Sequence, residues 1–189
     1  MILIRHGQTE FNRVFSATRR DPGIRDPHLT EEGRRQAEEA ARALARHGQT
    51  VRRLIASPYR RALETAAIIA APRGWPIAIA AAVAERFCYT CDIGSPLHEL
   101  RALWPDLAFD HLADPWWPEA EESEAAIAER SRTFCRQMAA GAWHEVAVVT
   151  HWGFIRALTG LSVPNGTVLR IDPTRPDRAA EPLFTPRTE

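Results

Sequence analysis

Lysine is absent from this 189-residue chain, so all 24 of its basic residues are arginine. That absence excludes Schiff-base catalysis, a pyridoxal phosphate anchor and the lysine of a phosphate-binding P-loop. Net charge is lacking as well, because 24 arginines meet 24 acidic residues and the pI is near 7.1. A domain so balanced has no overall electrostatic grip on nucleic acid or on an anionic membrane. The chain has no run of about 18 apolar residues, the length a membrane-spanning helix needs. Nor does a basic stretch precede an apolar core at Met1-Ile2-Leu3-Ile4-Arg5, as a signal peptide requires. The expectation is a cytoplasmic protein with no nucleic-acid and no membrane partner.

Cysteine is scarce and odd in number: Cys88, Cys91 and Cys135 do not make a disulfide framework. Cys88-Tyr89-Thr90-Cys91 has the spacing of a redox or half-zinc motif. No second such pair and no spaced histidine pair follows, so no metal and no cofactor is assigned. Coding bias explains most of the preference for arginine. Where charge is used, though, it comes as a planar fork suited to phosphate or carboxylate.

What is present reads as alternating strands and helices. Ile2-Leu3-Ile4 is a short apolar run, expected as a buried strand. Thr30 is placed to cap a helix with Glu31 and Glu32 in its first turn, and His47-Gly48 to close it. Leu54-Ile55-Ala56 reads as a second strand. Ser57-Pro58 then reads as a cap and first-turn proline of a helix through Ala62, Ala66 and Ile69, ending near Pro72 and Gly74. Ile77-Ala78-Ile79 is a third strand. Residues 85–118 read as an inserted, loop-rich cap, with a second Ser-Pro helix start at Ser95-Pro96. Its Trp116-Trp117 pair either packs the cap onto the core, the reading preferred here, or forms an aromatic wall for a ligand. A long helix is expected from Ser123 to Ala140, with Ile127, Phe134 and Met138 inward. Val146-Ala147-Val148-Val149 is the strongest strand signal, and Phe154-Ile155 opens a short helix. Thr167–Ile171 is read as the last strand, after an Asn165-Gly166 turn. The final 17 residues carry four prolines and are expected to run over the surface. The sum is one α/β domain over residues 1–189, a mostly parallel sheet flanked by helices.

Two of the seven histidines occupy equivalent places. His6 follows the first strand, His151 follows the strand at 146–150, and each is trailed by a glycine. In open α/β sheets ligands sit beyond the carboxyl ends of the strands, so the pair suggests one shared site. His28, His47, His98, His111 and His144 are read as surface or core residues. Arg5, Arg60, Arg61 and Arg156 gather at the same edge. Histidine and guanidinium together fit an anionic substrate, most naturally a phosphoryl group. A neutral imidazole attacks phosphorus as a nucleophile while arginines hold the equatorial oxygens. Glu85, after the third strand, is placed to protonate the leaving oxygen, with Glu10 and Asp92 as alternatives.

These residues carry a resemblance. Leu3-Ile4-Arg5-His6-Gly7-Gln8-Thr9-Glu10-Phe11-Asn12 resembles the R-H-G signature of the histidine phosphatase superfamily, the phosphoglycerate mutase-like proteins. Leu29–Ala37 resembles that family's L-T-x-x-G-x-x-Q-A helix start, Ser57–Ala66 its S-P-x-x-R-A-x-x-T-A segment, and Val148–Arg156 its second-histidine strand. The resemblance implies a three-layer sandwich. It also implies that His6 is a nucleophile forming a phosphohistidine. Arg5, Asn12, Arg61 and His151 would then surround the phosphoryl group, with Glu85 as proton donor. Arg61 is preferred to Arg60, which is expected to be solvated, because it directly precedes the alanine of the matched pattern. Two departures stand out. Trp152 replaces a family glycine, and should narrow the pocket or stack on a substrate. Cys91–Pro96 departs from the G-x-x-E-G pattern of the mutases. The second departure, together with the greater length and larger cap of the family's mutases, favours a metal-independent phosphatase acting on a phosphorylated small molecule over a mutase. The presence of Arg5, His6, Arg61 and His151 favours it over a catalytically silent binder of phospho-ligands. Neither the physiological substrate nor the oligomeric state is legible.

Overall fold

A six-stranded sheet runs through the centre of the computed structural model, which describes residues 1–46, 50–175 and 178–187. In chain order the elements are β1 (Ile2–Arg5), α1 (Glu10–Thr18), α2 (Glu31–Arg46), β2 (Arg53–Ala56), α3 (Arg60–Ala70) and β3 (Ile77–Ile79). There follow α4 (Leu97–Leu103), α5 (Glu124–Ala139), β4 (Val146–Thr150), α6 (Trp152–Thr159), β5 (Val168–Arg170) and β6 (Glu181–Phe184). The strands lie in the order β3-β2-β4-β1-β5-β6. The first four run parallel, and β5 and β6 are joined by antiparallel pairing.

Alternation along each strand splits the core into two layers. Ile2, Ile4, Leu54, Ala56, Ala147 and Val149 face Ala40, Leu44, Leu63 and Ile69 of α2 and α3. Leu3, Ile55, Val146, Val148 and Leu169 face Ile127 and Phe134 of α5 and Phe154 and Ile155 of α6. Helices therefore cover both faces, and the α/β, mostly parallel architecture read from the sequence is the one observed. Thr30 caps α2 as expected, its Oγ1 accepting the Gly33 N–H at 3.0 Å. The closing His47-Gly48 lies outside the described residues.

The pairing that positions the site is β1 against β4. Its register sets Arg5 opposite Thr150, so His6 and His151 leave the sheet side by side. The loop after His6 then runs over the start of α2 so closely that a Cβ on Gly7 would sit 2.2 Å from the Gly33 carbonyl oxygen. Only glycines allow that approach.

Three local expectations are corrected. Ser57 does not cap α3: the helix opens at Arg60 with Tyr59 in the cap position and no side-chain cap bond. The Ser57 hydroxyl turns to His151 instead. Ser95 likewise is not the cap of α4, where Pro96 holds that position, and its N–H donates to Asp26 Oδ2 at 3.0 Å. The strand at 168–170 is not the last, because β6 adds to it. Its Pro182 is tolerated because an edge strand leaves one side unbonded. Helix α1 is an addition that the sequence patterns do not signal. Thr9 and Asn12 form a reciprocal capping box at its start.

Between β3 and α5 the chain makes one helix, α4, and short 3-10 turns. Trp116 anchors this stretch. It is 8 % exposed, its indole N–H donates to the Ser95 carbonyl at 2.9 Å, and its ring meets Tyr59 edge-on at 4.6 Å. Trp117 packs against the same core, and neither ring lines the main cleft. Packing, the reading preferred from the sequence, is what the pair does. Among the described residues no helix is long and apolar enough to cross a membrane. Trp116→Ala should lower the unfolding free energy by about 3–5 kcal/mol, read by urea denaturation. A loss under about 1 kcal/mol would contradict its place in the core.

Candidate active site

At the carboxyl ends of β1 and β4 lies a cleft of about 560 Å³, with Arg5, His6, Asn12, Arg61, Glu85 and Trp152 in its lining. His6 is 3 % exposed, and its Nδ1 lies 2.7 Å from the Gly7 carbonyl oxygen. Burial, together with the nearby Arg61 and Arg5 cations, holds its pKa well below the usual imidazole value. The ring is therefore neutral at pH 7. A carbonyl accepts only, so Nδ1 carries the proton and Nε2 keeps its lone pair.

Two guanidinium groups flank this ring. Arg5 Nη1 donates to the Val163 carbonyl at 2.6 Å, while its Nε is buried with no partner among the described residues. Burial lowers the Arg5 pKa to about 10, so the group stays charged at neutral pH. A buried, charged donor without an acceptor is costly unless an anion completes it. Three of the five N–H groups of Arg61 are engaged. Nη1 donates to the Cys91 carbonyl at 2.7 Å, Nη2 to Asp92 Oδ1 at 3.0 Å and Nε to His151 Nδ1 at 3.3 Å. Its guanidinium also lies 4.2 Å from the Tyr59 ring centroid.

His151 is fully buried, with its ring centroid 5.0 Å from that of His6. Its pKa is also held well below normal, by burial and then by Arg61 and His6. Because Nδ1 accepts from Arg61, the neutral ring carries its proton on Nε2, which lies 2.7 Å from Ser57 Oγ. Both nitrogens are thus engaged, and His151 stands behind Arg61 rather than in the cleft lining. Asn12 is held by its oxygen: Oδ1 accepts from the Thr9 N–H, the Thr9 hydroxyl and Asn165 Nδ2 at 3.0–3.1 Å. Among the described residues no acceptor takes its Nδ2 hydrogens, and Asn12 lines the cleft.

Glu85 closes the far side. Its Oε1 accepts from the Gly153 N–H at 2.8 Å and the Arg86 N–H at 2.9 Å. A Cβ on Gly153 would lie 2.3 Å from that oxygen, so a larger residue there would displace the carboxylate. Burial, and then the charge of Asp92, raise the Glu85 pKa to about 7. A carboxyl balanced at neutral pH gives and takes a proton with equal ease.

The sequence-derived candidates His6, Arg5, Asn12, Arg61 and Glu85 thus share one cleft, with His151 directly behind. The alternative donors are placed otherwise. Glu10 pairs with Arg13 on the surface of α1. Asp92, 1 % exposed, is spent on Arg61 and on the N–H groups of Cys88 and Tyr89. Arg60 is half-buried rather than solvated, with its Nε enclosed. Both cysteines of the C-x-x-C are free, and burial pushes the Cys88 thiol up to about 12. Among the described residues no cluster fit for a metal ion occurs. Three contributors were not read from the sequence: Ser57 as partner of His151, Asn165 across the His6–Gly7 carbonyls, and Asp26, buried 4.0 Å from Arg61.

A parallel sheet that delivers buried histidine and guanidinium groups to one strand edge places cationic donors where ligands of open α/β sheets sit. Comparison with known proteins defines it further. Residues 1–174 match the family described as "Histidine phosphatase superfamily (branch 1)", and the chain belongs to that family. It is 33 % identical over 183 residues to glucosyl-3-phosphoglycerate phosphatase of Mycolicibacterium vanbaalenii, covering 89 % of this chain and 78 % of that protein. A probable phosphatase of Schizosaccharomyces pombe is 27 % identical over 87 % of this chain and 79 % of its own length. A 2,3-bisphosphoglycerate-dependent phosphoglycerate mutase of Bradyrhizobium matches 76 residues at 40 % identity, covering 40 % of this chain and 35 % of the mutase. Among solved structures, mycobacterial glucosyl-3-phosphoglycerate phosphatase in complex with VO3 superimposes with TM-score 0.62 at 23 % identity over 96 % of both chains. That likeness establishes the shared fold.

The raised Glu85 pKa carries a stability signature. Its value in the fold is about 7 against 4.5 ordinarily, so the folded protein holds a proton that the unfolded chain gives up. Stability therefore falls as pH rises through that window, and is unaffected by Glu85 below it. Glu85→Gln escapes the penalty. The variant's melting temperature should gain on the wild type between about pH 5 and about pH 8. A constant difference would contradict the raised value.

Proposed function

We propose that this protein is a phosphomonoesterase that needs no metal and works through a phosphohistidine on His6. The observation that carries the reading is the neutral, buried His6, with Nδ1 tied to the Gly7 carbonyl and Nε2 free beside Arg5 and Arg61. In the first step Nε2 attacks phosphorus, the P–N bond forms and the bond to the ester oxygen breaks. The departing alkoxide takes the proton of Glu85. Arg5, Arg61 and the Nδ2 group of Asn12 hold the equatorial oxygens as charge moves onto them. In the second step the Glu85 carboxylate removes a proton from water as the water oxygen bonds to phosphorus; the P–N bond breaks, which releases inorganic phosphate and restores His6. His151 serves as a positioning residue, its Nδ1 fixing the Arg61 guanidinium against the phosphoryl oxygens.

A pKa near 7 suits Glu85 to both steps, as acid in the first and base in the second. Hydrolysis is favoured over mutase transfer by the relatives matched along most of this chain, which bear phosphatase names. The mutase likeness spans only 76 residues. The name of the first relative points to a phosphorylated metabolite rather than a macromolecule as substrate.

The test is turnover of an aryl phosphate in excess EDTA by the wild type and by His6→Ala. Activity should persist under chelation and fall by about three or more orders of magnitude in the variant. Acid-labile phosphate should be trapped on the wild type alone. Exchange between bisphosphorylated and monophosphorylated substrate with little hydrolysis would instead indicate a mutase. Phosphate binding without either reaction would indicate a silent binder.

A further inference from the structure

Glu85 sits on no helix or strand. It follows the 3-10 turn at Ala81–Val83 in irregular chain, so regular secondary structure does not set where its carboxyl lies. The carboxyl is held through one oxygen, Oε1, and among the described residues no donor meets Oε2. Side chains from elsewhere hold the backbone instead. The Ala82 and Ala84 carbonyls accept from Arg130 Nη1 at 3.0 and 2.9 Å, and the Glu85 carbonyl accepts from Arg130 Nη2 at 3.4 Å. The Val83 carbonyl between them accepts from the Thr150 hydroxyl at 2.6 Å. Four consecutive carbonyls of the segment that carries Glu85 are thus taken by two side chains, one from α5 and one from the last residue of β4.

Arg130 is fully used in this. Its Nε and Nη2 also pair in bidentate fashion with Glu122, at 2.9 and 2.6 Å. A guanidinium has five N–H groups, and three carbonyls and two carboxylate oxygens meet them. Glu122 in turn reaches the far side of Glu85. Its N–H donates to the Phe87 carbonyl at 2.9 Å, and its carbonyl accepts from Arg86 Nε at 2.9 Å. The pair therefore grips the chain both before and after the carboxyl. At 24 % and 12 % side-chain exposure it is largely shielded from water, where charge-assisted hydrogen bonds are least screened. Arg130 is not part of the cleft lining, so it acts on the site only through Glu85.

We propose that Arg130, anchored by Glu122, is a positioning residue for proton transfer that holds the Glu85 carboxyl where the leaving oxygen departs, a role that rests on Glu85 being the proton donor. Thr150 ties the same segment to the strand end that delivers His151 and, through the β1–β4 register, His6. Donor and nucleophile are spaced by one frame as a result. A misplacement of about 1 Å in such a frame costs up to about a hundredfold in rate. Lysine is no substitute, because three donors on a single nitrogen do not span three carbonyls and a carboxylate.

The experiment compares kcat/KM for phenyl phosphate and for 4-nitrophenyl phosphate. Both present the same phosphoryl group on the same ring. Phenolate is the more basic leaving group and depends on a proton, whereas 4-nitrophenolate departs with little help. Because kcat/KM covers only events up to release of the phenol, the later attack of water does not enter. Glu85→Gln is the reference: it should lower the phenyl phosphate value about a hundredfold further than the 4-nitrophenyl value. Arg130→Met should show the same bias, about ten- to a hundredfold, and Arg130→Lys a smaller one. Loss of folded enzyme alone would lower both substrates equally and leave their ratio at the wild-type value. That ratio in Arg130→Met, or in Arg130→Lys should the first variant not melt cooperatively, would overturn the assignment. A biased Glu85→Gln beside unbiased Arg130 variants contradicts the Arg130 role alone. An unbiased Glu85→Gln would mean that Glu85 is not the donor, and both readings would fall.

Discussion

When Arg5 pairs with Thr150 across β1 and β4, the residue that follows on each strand leaves the sheet at the same point. Both are histidines, and the His6 N–H is still bonded to the Thr150 carbonyl at 3.0 Å. The remaining site is built outward from that pair. Burial, and after it the nearby Arg61 cation, keeps both imidazoles neutral. With the rings neutral, fixed acceptors and donors decide which nitrogen bears the proton. The Gly7 carbonyl makes the choice at His6, and Arg61 makes it at His151. A one-residue slip of the β1–β4 register would turn Ile2 and Ile4 to the wrong layer and separate the two rings.

Electrostatics at the site is deliberately incomplete. Arg61 is matched by Asp92, a carbonyl and an imidazole, so its cost of burial is met within the protein. Arg5 is not, and its Nε has no acceptor among the described residues. Glu85 shows the converse imbalance, a carboxylate whose burial and proximity to Asp92 favour the proton. An anion entering the cleft would satisfy the first group and meet the second in its protonated, donating form. In the proposed reaction, binding draws on the unpartnered Arg5 Nε and proton donation on Glu85. This fits the general pattern in which shifted titration gathers where chemistry is done.

Sequence patterns carried the parts of this arrangement that depend on local periodicity. Short apolar runs ending in histidine marked β1 and β4, and the Thr30-Glu31-Glu32 start marked α2. Parts made by contact between distant loops left no such trace. Asn165 crosses to the His6 carbonyl over 159 residues of chain, and nothing near it in sequence hints at the partner. Ser57-Pro58 has the form of a helix cap, yet buried His151 next to it needed an acceptor more than α3 needed a cap. Helix α1 was obscured because its capping box uses asparagine at the third position and its apolar residues, Phe11, Val14 and Phe15, are few. Strand β6 was hidden by Pro182, which reads as a breaker until an edge position makes it harmless.

The central claim is that the fold holds His6 neutral with its proton on Nδ1, leaving Nε2 as the reactive nitrogen. Nitrogen-15 NMR of the histidine side chains tests it directly, since the two tautomers and the imidazolium differ in their ring shifts. At the ordinary imidazole pKa of about 6.5, where a free ring is half protonated, His6 should be neutral and show a pyrrole-like Nδ1 and a pyridine-like Nε2. Protonation near the ordinary value, or the opposite tautomer, would contradict the account.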